Sequence, residues 1–267
     1  MMLSRSPVGI FDSGIGGLSV LHHIRHLLPD EDLIYVSDRA HLPYGNKASD
    51  FILDRSEYIV NFLIQQNVKA IVIACNTATA VAVAYLRDKF TLPIIGMEPG
   101  VKPATITSRN GLIGVLATEG TLISGKFQNL LEQHANGVNI FYSPCHGWVE
   151  AIENNGPSHA RTVELVEQSL LPVLEKGVDT LVLGCTHYPF VKKIIENIAG
   201  SSVTIIDTGQ AVAKQLQRRL VDEALLSSHG QQGVEQYWCS GPTEKTQDLI
   251  AKIQANQCIV NQLPMAD

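Results

Sequence analysis

The chain has 267 residues, enough for two average domains, and its 45% hydrophobic and 17% charged residues exclude wholesale disorder. A formal net charge of −6 argues against a nucleic-acid surface, which needs a basic patch for phosphates, but not against a small anionic ligand held by a few local donors. No apolar run reaches bilayer-spanning length, residues 1–7 lack the apolar stretch of a secretory signal, and five widely spaced cysteines offer neither a disulfide framework nor a CxxC zinc pair, so a reduced, cytoplasmic setting is expected.

Short β-branched and aliphatic runs alternate with longer helical patterns. A strand at 8–11 leads to a helix at 17–28, a strand at 33–36 to a helix at 50–65, and a strand at 70–74 to a helix at 78–90. A fourth strand at 92–95 precedes a segment, 96–103, that carries Pro99, Gly100 and Pro103 and reads as the boundary of a first half. Strands follow at 112–116, 138–142, 180–183 and 203–206, with helices at 161–176 and 188–198. The tail reads as a helix at 211–225, a polar loop at 227–233, a strand at 236–239 and a helix at 243–253 that starts after Pro242. Continuous apolar strands indicate parallel sheets buried on both faces by helices.

The eight main strands fall into two sets of four. Gly9-Ile10-Phe11-Asp12 answers to Gly114-Val115-Leu116-Ala117, 105 positions on, and Ile71 to Thr77 answers to Leu181 to His187, 110 positions on. Cys75 and Cys185 therefore occupy the same place in each half, a coincidence that repeated βαβ units alone do not explain. The expected architecture is α/β, with two similar parallel-sheet domains related by pseudo-symmetry and an active site in the cleft between them. Residues 1–98 plus 212–267 would form the first domain, with a returning C-terminal segment, and residues 99–211 the second. Ligands of open parallel sheets bind beyond the carboxyl ends of the strands, where both cysteines fall.

Those strand ends carry the candidate chemistry. Asp12-Ser13-Gly14-Ile15-Gly16-Gly17 follows a strand and opens a helix. It suits an anion at a helix N-terminus or an Asp cap on a tight glycine turn, but it is not a dinucleotide GxGxxG, and a leading carboxylate would repel phosphates. Cys75 in Ala74-Cys75-Asn76-Thr77 and Cys185 in Gly184-Cys185-Thr186-His187 stand at strand-to-helix junctions, where the helix end favours thiolate. A paired set of thiols suits inversion at an α-carbon: one removes the proton from one face and the other returns a proton to the opposite face. Buried inert cysteine remains the reading for Cys145, Cys239 and Cys258.

The segments Asp12-Ser13-Gly14-x-Gly16-Gly17, Pro43-Tyr44-Gly45, Ala74-Cys75-Asn76-Thr77-Ala78, Pro99-Gly100-Val101 and Gly184-Cys185-Thr186-His187-Tyr188-Pro189, in this order over roughly residues 7 to 220, resemble the motif set of the glutamate racemases of the cofactor-independent aspartate/glutamate racemase family. The resemblance implies racemisation of L- and D-glutamate, supplying D-glutamate for peptidoglycan synthesis, with no cofactor and no metal. It assigns Cys75 and Cys185 as the acid/base pair, the first acting on D-glutamate and the second on L-glutamate. Asp12 and His187 would assist the thiols. Ser13, Tyr44, Gly45, Asn76, Thr77, Thr118, Thr121 and Thr186, together with Asp12 and His187, would hold the amino acid. An assisting glutamate aligns with Glu153, and Glu150 on the same helical face competes for that place. The unusual His146-Gly147-Trp148 just upstream weakens the alignment there. Homodimers are common among such enzymes, and neither a nucleic-acid nor a membrane partner is implied.

Three other readings have their own discriminators. An aspartate racemase usually carries glutamate where this chain has His187. A two-lobed amino-acid-binding protein would bind without exchanging the α-proton. A redox or metal protein built on Cys75, Cys185 and His187 lacks metal-type spacing. Pyridoxal phosphate is not expected, since no lysine occupies a matching strand-end position.

Overall fold

The computed structural model describes residues 5–227, 230–254 and 257–264. Residues 1–4 of the short N-terminus and residues 228 and 229 of the polar loop lie outside them. In chain order the elements are β1 (Val8–Asp12), α1 (Leu18–Leu27), β2 (Leu33–Ser37), α2 (Ser49–Gln65), β3 (Ala70–Ile73), α3 (Asn76–Lys89), β4 (Ile94–Gly96), α4 (Val101–Thr107), β5 (Leu112–Ala117), α5 (Glu119–Leu122) and α6 (Gly125–His134). Then come β6 (Asn139–Pro144), α7 (Trp148–Asn155), α8 (Ala160–Leu174), β7 (Thr180–Gly184), α9 (Lys192–Ala199), β8 (Thr204–Ile206), α10 (Gly209–Asp222), β9 (Glu235–Cys239), α11 (Thr243–Gln254) and β10 (Val260–Gln262).

Two compact units result: Met1–Met97 with Gly209–Asp267, and Glu98–Thr208. The first holds a parallel sheet in the order β10-β9-β2-β1-β3-β4, the second one in the order β6-β5-β7-β8. The four-strand order β2-β1-β3-β4 is therefore repeated as β6-β5-β7-β8. The registers repeat too: Gly9 pairs with Ile71, and Gly114 with Leu181. Both glycines lie under a helix that packs tightly. A Cβ on Gly9 would stand 3.0 Å from Leu63 of α2, and one on Gly114 would stand 2.6 Å from Val173 of α8. In each unit this is the helix that enters the third strand, so the duplication extends from sequence to packing.

The inner strands are predominantly apolar because helices cover both faces; every residue of β1, β2, β3 and β7 is buried. On one face of the first sheet, α2 presents Ile52, Ile59, Val60 and Leu63 at helical spacing to Phe11, Ile71 and Ile73. Each such fully buried aliphatic side chain contributes about 1.5–3 kcal/mol. In the second unit Val101 and Ala104 of α4 and Phe127 of α6 cover Ile113, Val115 and Val182.

No helix range in the sequence reading covers α4 to α7, and two further elements depart from that reading. The helix expected over 188–198 is a one-turn 3₁₀ segment, Tyr188–Val191, followed by α9. Pro189 has no amide to donate, and the N–H groups of Tyr188 and Phe190 bond three residues back, to the carbonyls of Cys185 and His187. The last strand, β10, escapes sequence detection because two of its three residues, Asn261 and Gln262, are polar and exposed at a sheet edge.

Candidate active site

In the first unit the chain order reverses between β1 and β3, which sets Asp12-Ser13 beside Cys75-Asn76 at the carboxyl ends of adjacent strands. Asp12 is fully buried. Its Oδ2 accepts the N–H of Gly17 at 2.8 Å and that of Gly14 at 3.4 Å, and the Tyr35 hydroxyl donates to the Gly14 carbonyl at 2.7 Å. The carboxylate thus closes the glycine turn while sitting at the strand end. Cys75 caps α3: its sulfur accepts the Ala78 N–H at 3.4 Å and lies 3.9 Å from Ser13 Oγ. An amide aimed at sulfur favours thiolate over thiol. Asn76, buried next to it, has both side-chain polar atoms buried without a hydrogen-bond partner among the described residues. An unpaired buried amide costs free energy unless a ligand or water meets it. Ser13 and Thr77 are buried alongside.

Tyr44 and Gly45 lie in a 3₁₀ turn, Tyr44–Asn46, with Tyr44 buried. The Tyr44 hydroxyl donates to Asp38 Oδ2 at 2.6 Å. Asp38 also accepts from Arg55, Nη2 to Oδ1 at 2.7 Å and Nε to Oδ2 at 3.0 Å, and it lies 3.0 Å from His41 Nδ1. Burial pushes the Asp38 carboxyl up, but the bonds from Arg55 and Tyr44 outweigh it and hold the group below its ordinary value. Burial, then the neighbouring Asp38 charge, drive the Tyr44 phenol well above its ordinary value, so it stays protonated with its hydrogen spent on Asp38. Asp38 and Arg55 are absent from the sequence reading. Asp38 stands one residue past β2, at the same end of the sheet as Asp12, and that placement is the signal that could have found it.

In the second unit, β5, β6 and β7 are neighbours, so Thr118, Cys145 and Cys185 emerge together at their carboxyl ends. Thr118 caps α5, and its hydroxyl lies 2.9 Å from that of Thr121. Cys185 Sγ lies 3.9 Å from His187 Nδ1, and His187 Nε2 lies 2.9 Å from Glu153 Oε1. All three side chains are buried, as is Thr186. Glu150 makes no such bond to His187, so Glu153 is the carboxylate that orients the ring. Burial works against a charged imidazole here, yet the bonds to Cys185 and Glu153 prevail and hold His187 well above its ordinary value.

The expectation that both thiols sit at α-helix starts is corrected at Cys185. The turn after it is 3₁₀ and only four residues long, and the group set beside its sulfur is the His187 ring. Cys145 is buried and driven well above the ordinary thiol value by burial, and its sulfur donates to the Ser143 carbonyl at 3.4 Å. Among the described residues no three His, Cys, Asp or Glu side chains are grouped so as to hold a metal ion. No helix among them is long and apolar enough to cross a membrane.

Comparison with known proteins gives a consistent picture. The sequence model of the Asp/Glu/Hydantoin racemase family matches residues 16–216. The chain is 48% identical over 258 residues to the glutamate racemase of Methylococcus capsulatus, covering 97% of this chain and 95% of that one. Its fold is similar to that of a glutamate racemase isoform from Bacillus anthracis, with a TM-score of 0.90, 30% identity and 98% of each chain covered. It is also similar to the Escherichia coli glutamate racemase solved with L-glutamate and the activator UDP-MurNAc-ala, with a TM-score of 0.84, 31% identity, and 96% and 97% of the two chains covered.

Proposed function

This chain belongs to the Asp/Glu/Hydantoin racemase family, and from that premise we propose how its residues divide the work of inverting a single carbon. The chain is an enzyme that interconverts L- and D-glutamate, the reaction whose product feeds peptidoglycan synthesis. Cys75 and Cys185 are its acid/base pair. For D-glutamate, the Cys75 thiolate takes the α-proton and the Cys185 thiol returns one to the opposite face of the planar carbanion. For L-glutamate the roles reverse. Each turnover exchanges the protonation states of the two sulfurs, and each well-placed proton-transfer group contributes about 10²–10⁴ in rate.

The observation that carries this reading is the repeated position of the two sulfurs, each beyond the third strand of a four-strand order that occurs twice. The supports differ. Cys75 is favoured as thiolate by the Ala78 amide, with Asp12 and Ser13 beside it. Cys185 has the His187 ring 3.9 Å from its sulfur, with Glu153 on the far nitrogen of that ring. Asn76, Thr77, Thr118, Thr121 and Thr186 supply amide and hydroxyl groups for two carboxylates and an ammonium, and the Tyr44–Gly45 turn supplies a wall. We place the enzyme in the cytoplasm and expect a homodimer, which sedimentation would read directly.

The test is L-glutamate in heavy water, followed by polarimetry and α-proton NMR, with L-aspartate as a control. Loss of optical rotation with deuterium at Cα upholds the reading. Faster turnover of aspartate, or binding without exchange, refutes it.

A further inference from the structure

Trp148 is among the largest fully buried side chains and belongs to no part of the acid/base machinery described above. It opens α7, the helix that carries Glu153 five residues later. Its indole N–H is shared between the Leu165 carbonyl at 3.0 Å and Ser169 Oγ at 3.1 Å, both on α8. Its ring packs on Tyr188, with centroids 4.7 Å apart and planes at 55°. Tyr188 follows His187 directly and starts the 3₁₀ turn after Cys185. One side chain therefore ties three elements together: the helix bearing Glu153, the turn bearing His187, and α8 behind them.

We infer that Trp148 is a positioning residue for the Cys185 half of the reaction: through Tyr188 and α8 it fixes the distance between Glu153 and His187. A buried aromatic pair of this geometry is worth about 0.5–1.5 kcal/mol beyond its area, and a misplacement of about 1 Å in a catalytic group can cost about 10²-fold in rate. The sequence peculiarity at His146-Gly147-Trp148 thus acquires a function: the segment is the hinge pin of the assisting carboxylate. The titratable groups that act on His187 and Tyr188 are Cys185, Glu153 and Glu150 from α7, and Cys145 just past β6.

This inference rests on the two-thiol reading, and its test separates the two. Alkylation of Cys185 by iodoacetamide is followed against pH by peptide mass spectrometry, with Cys75 in the same molecule as reference, alongside kcat and KM in both directions. Trp148→Leu should lower kcat about tenfold or more with little change in KM, move the Cys185 alkylation midpoint up by about one pH unit, and leave that of Cys75 where it was. Trp148→Phe keeps a ring on Tyr188 but loses both N–H bonds and should fall between; it carries the test if Trp148→Leu does not fold. An unmoved Cys185 midpoint overturns the inference, whatever happens to turnover or melting temperature. A moved midpoint with unchanged turnover overturns it as well, and the turnover of Cys185→Ala, measured beside it, tests the two-thiol reading separately.

Discussion

Glu153 Oε1 stands 2.9 Å from His187 Nε2, with both side chains out of contact with solvent, while the other ring nitrogen faces the Cys185 sulfur. A carboxylate so placed fixes which nitrogen carries the proton and stabilises the charged ring. Glu153→Gln keeps the shape and removes the charge. It should lower kcat about 10²-fold, within the range expected for an acid/base support. Glu150→Gln, which removes the neighbour without that bond, should have a much smaller effect in the same racemisation assay.

Replacement of either sulfur tests the division of labour. Cys75→Ala and Cys185→Ala should each abolish racemisation while circular dichroism and melting remain close to those of the parent. Cys258→Ser, at a half-buried tail position outside the proposed machinery, should turn over normally. Racemisation surviving in either alanine variant would remove the basis of the mechanism.

Gly17 is held between Asp12 and Tyr35: a Cβ there would meet Asp12 Cβ at 2.8 Å and the Tyr35 hydroxyl at 2.9 Å. Both neighbours are packed, and the Gly17 N–H is the 2.8 Å donor to Asp12. Gly17→Ala should therefore move Asp12 away from the end of β1. We expect a loss of about 1–3 kcal/mol in urea unfolding together with a fall in kcat, whereas Gly125→Ala, which meets nothing within 4 Å, should change neither by a comparable amount.

Remote from the chemistry, Lys69 Nζ and Glu31 Oε2 form a fully buried ion pair at 2.5 Å. Ser227 donates to Glu31 through both its N–H and its hydroxyl, and accepts from Lys69 at 2.9 Å. Breaking one side leaves a buried charge without its counterion, so Lys69→Met alone should cost about 3–5 kcal/mol. Lys69→Met with Glu31→Leu should recover much of that loss in equilibrium urea unfolding. A double variant as unstable as the single one would contradict this account.

Asp179 offers a pH test in the second unit. Burial raises its carboxyl, but bonds from Ser108 Oγ, the Asn110 and Arg109 amides and Thr180 Oγ1 outweigh that and bring it to about 2. Because the folded value is depressed, the stabilisation is present above the unfolded value of about 3.9 and is lost as pH falls through the folded one. The difference in urea midpoint between the parent and Asp179→Asn should be constant from pH 7 down to about 4, shrink below it, and close near pH 2.

The parallel sheets were legible because the strands at their centres, β1, β2, β3 and β7, are buried along their whole length and so carry no competing polar period. The positions of Cys75 and Cys185 were legible for a related reason: a strand end fixes where the next residue stands, and the same offset recurs twice. Other features depend on contacts that no local pattern encodes. The Asp38–Arg55–Tyr44 network joins the end of β2 to α2 across 17 residues, and Trp148 reaches Tyr188 across 40. The unlike supports of the two thiols were hidden because Pro189, innocuous at a helix start, instead converts the turn after Cys185 to 3₁₀.

The chain crosses over twice between its units. α4 follows the fourth strand of the first sheet yet packs on α6, β7 and β8 of the second unit, and α10 follows the fourth strand of the second sheet yet packs on α1 and β4 of the first. During synthesis the leading 97 residues therefore leave the ribosome with the apolar flank of α1 and the outer edge of β2 still bare, and they stay so until Gly209–Asp267 emerges. The middle unit, contiguous in sequence, has all its parts first. Its completion precedes that of the N-terminal one, and a ribosome stalled before residue 209 would hold out a nascent chain whose earliest-made portion is the one that most needs a chaperone.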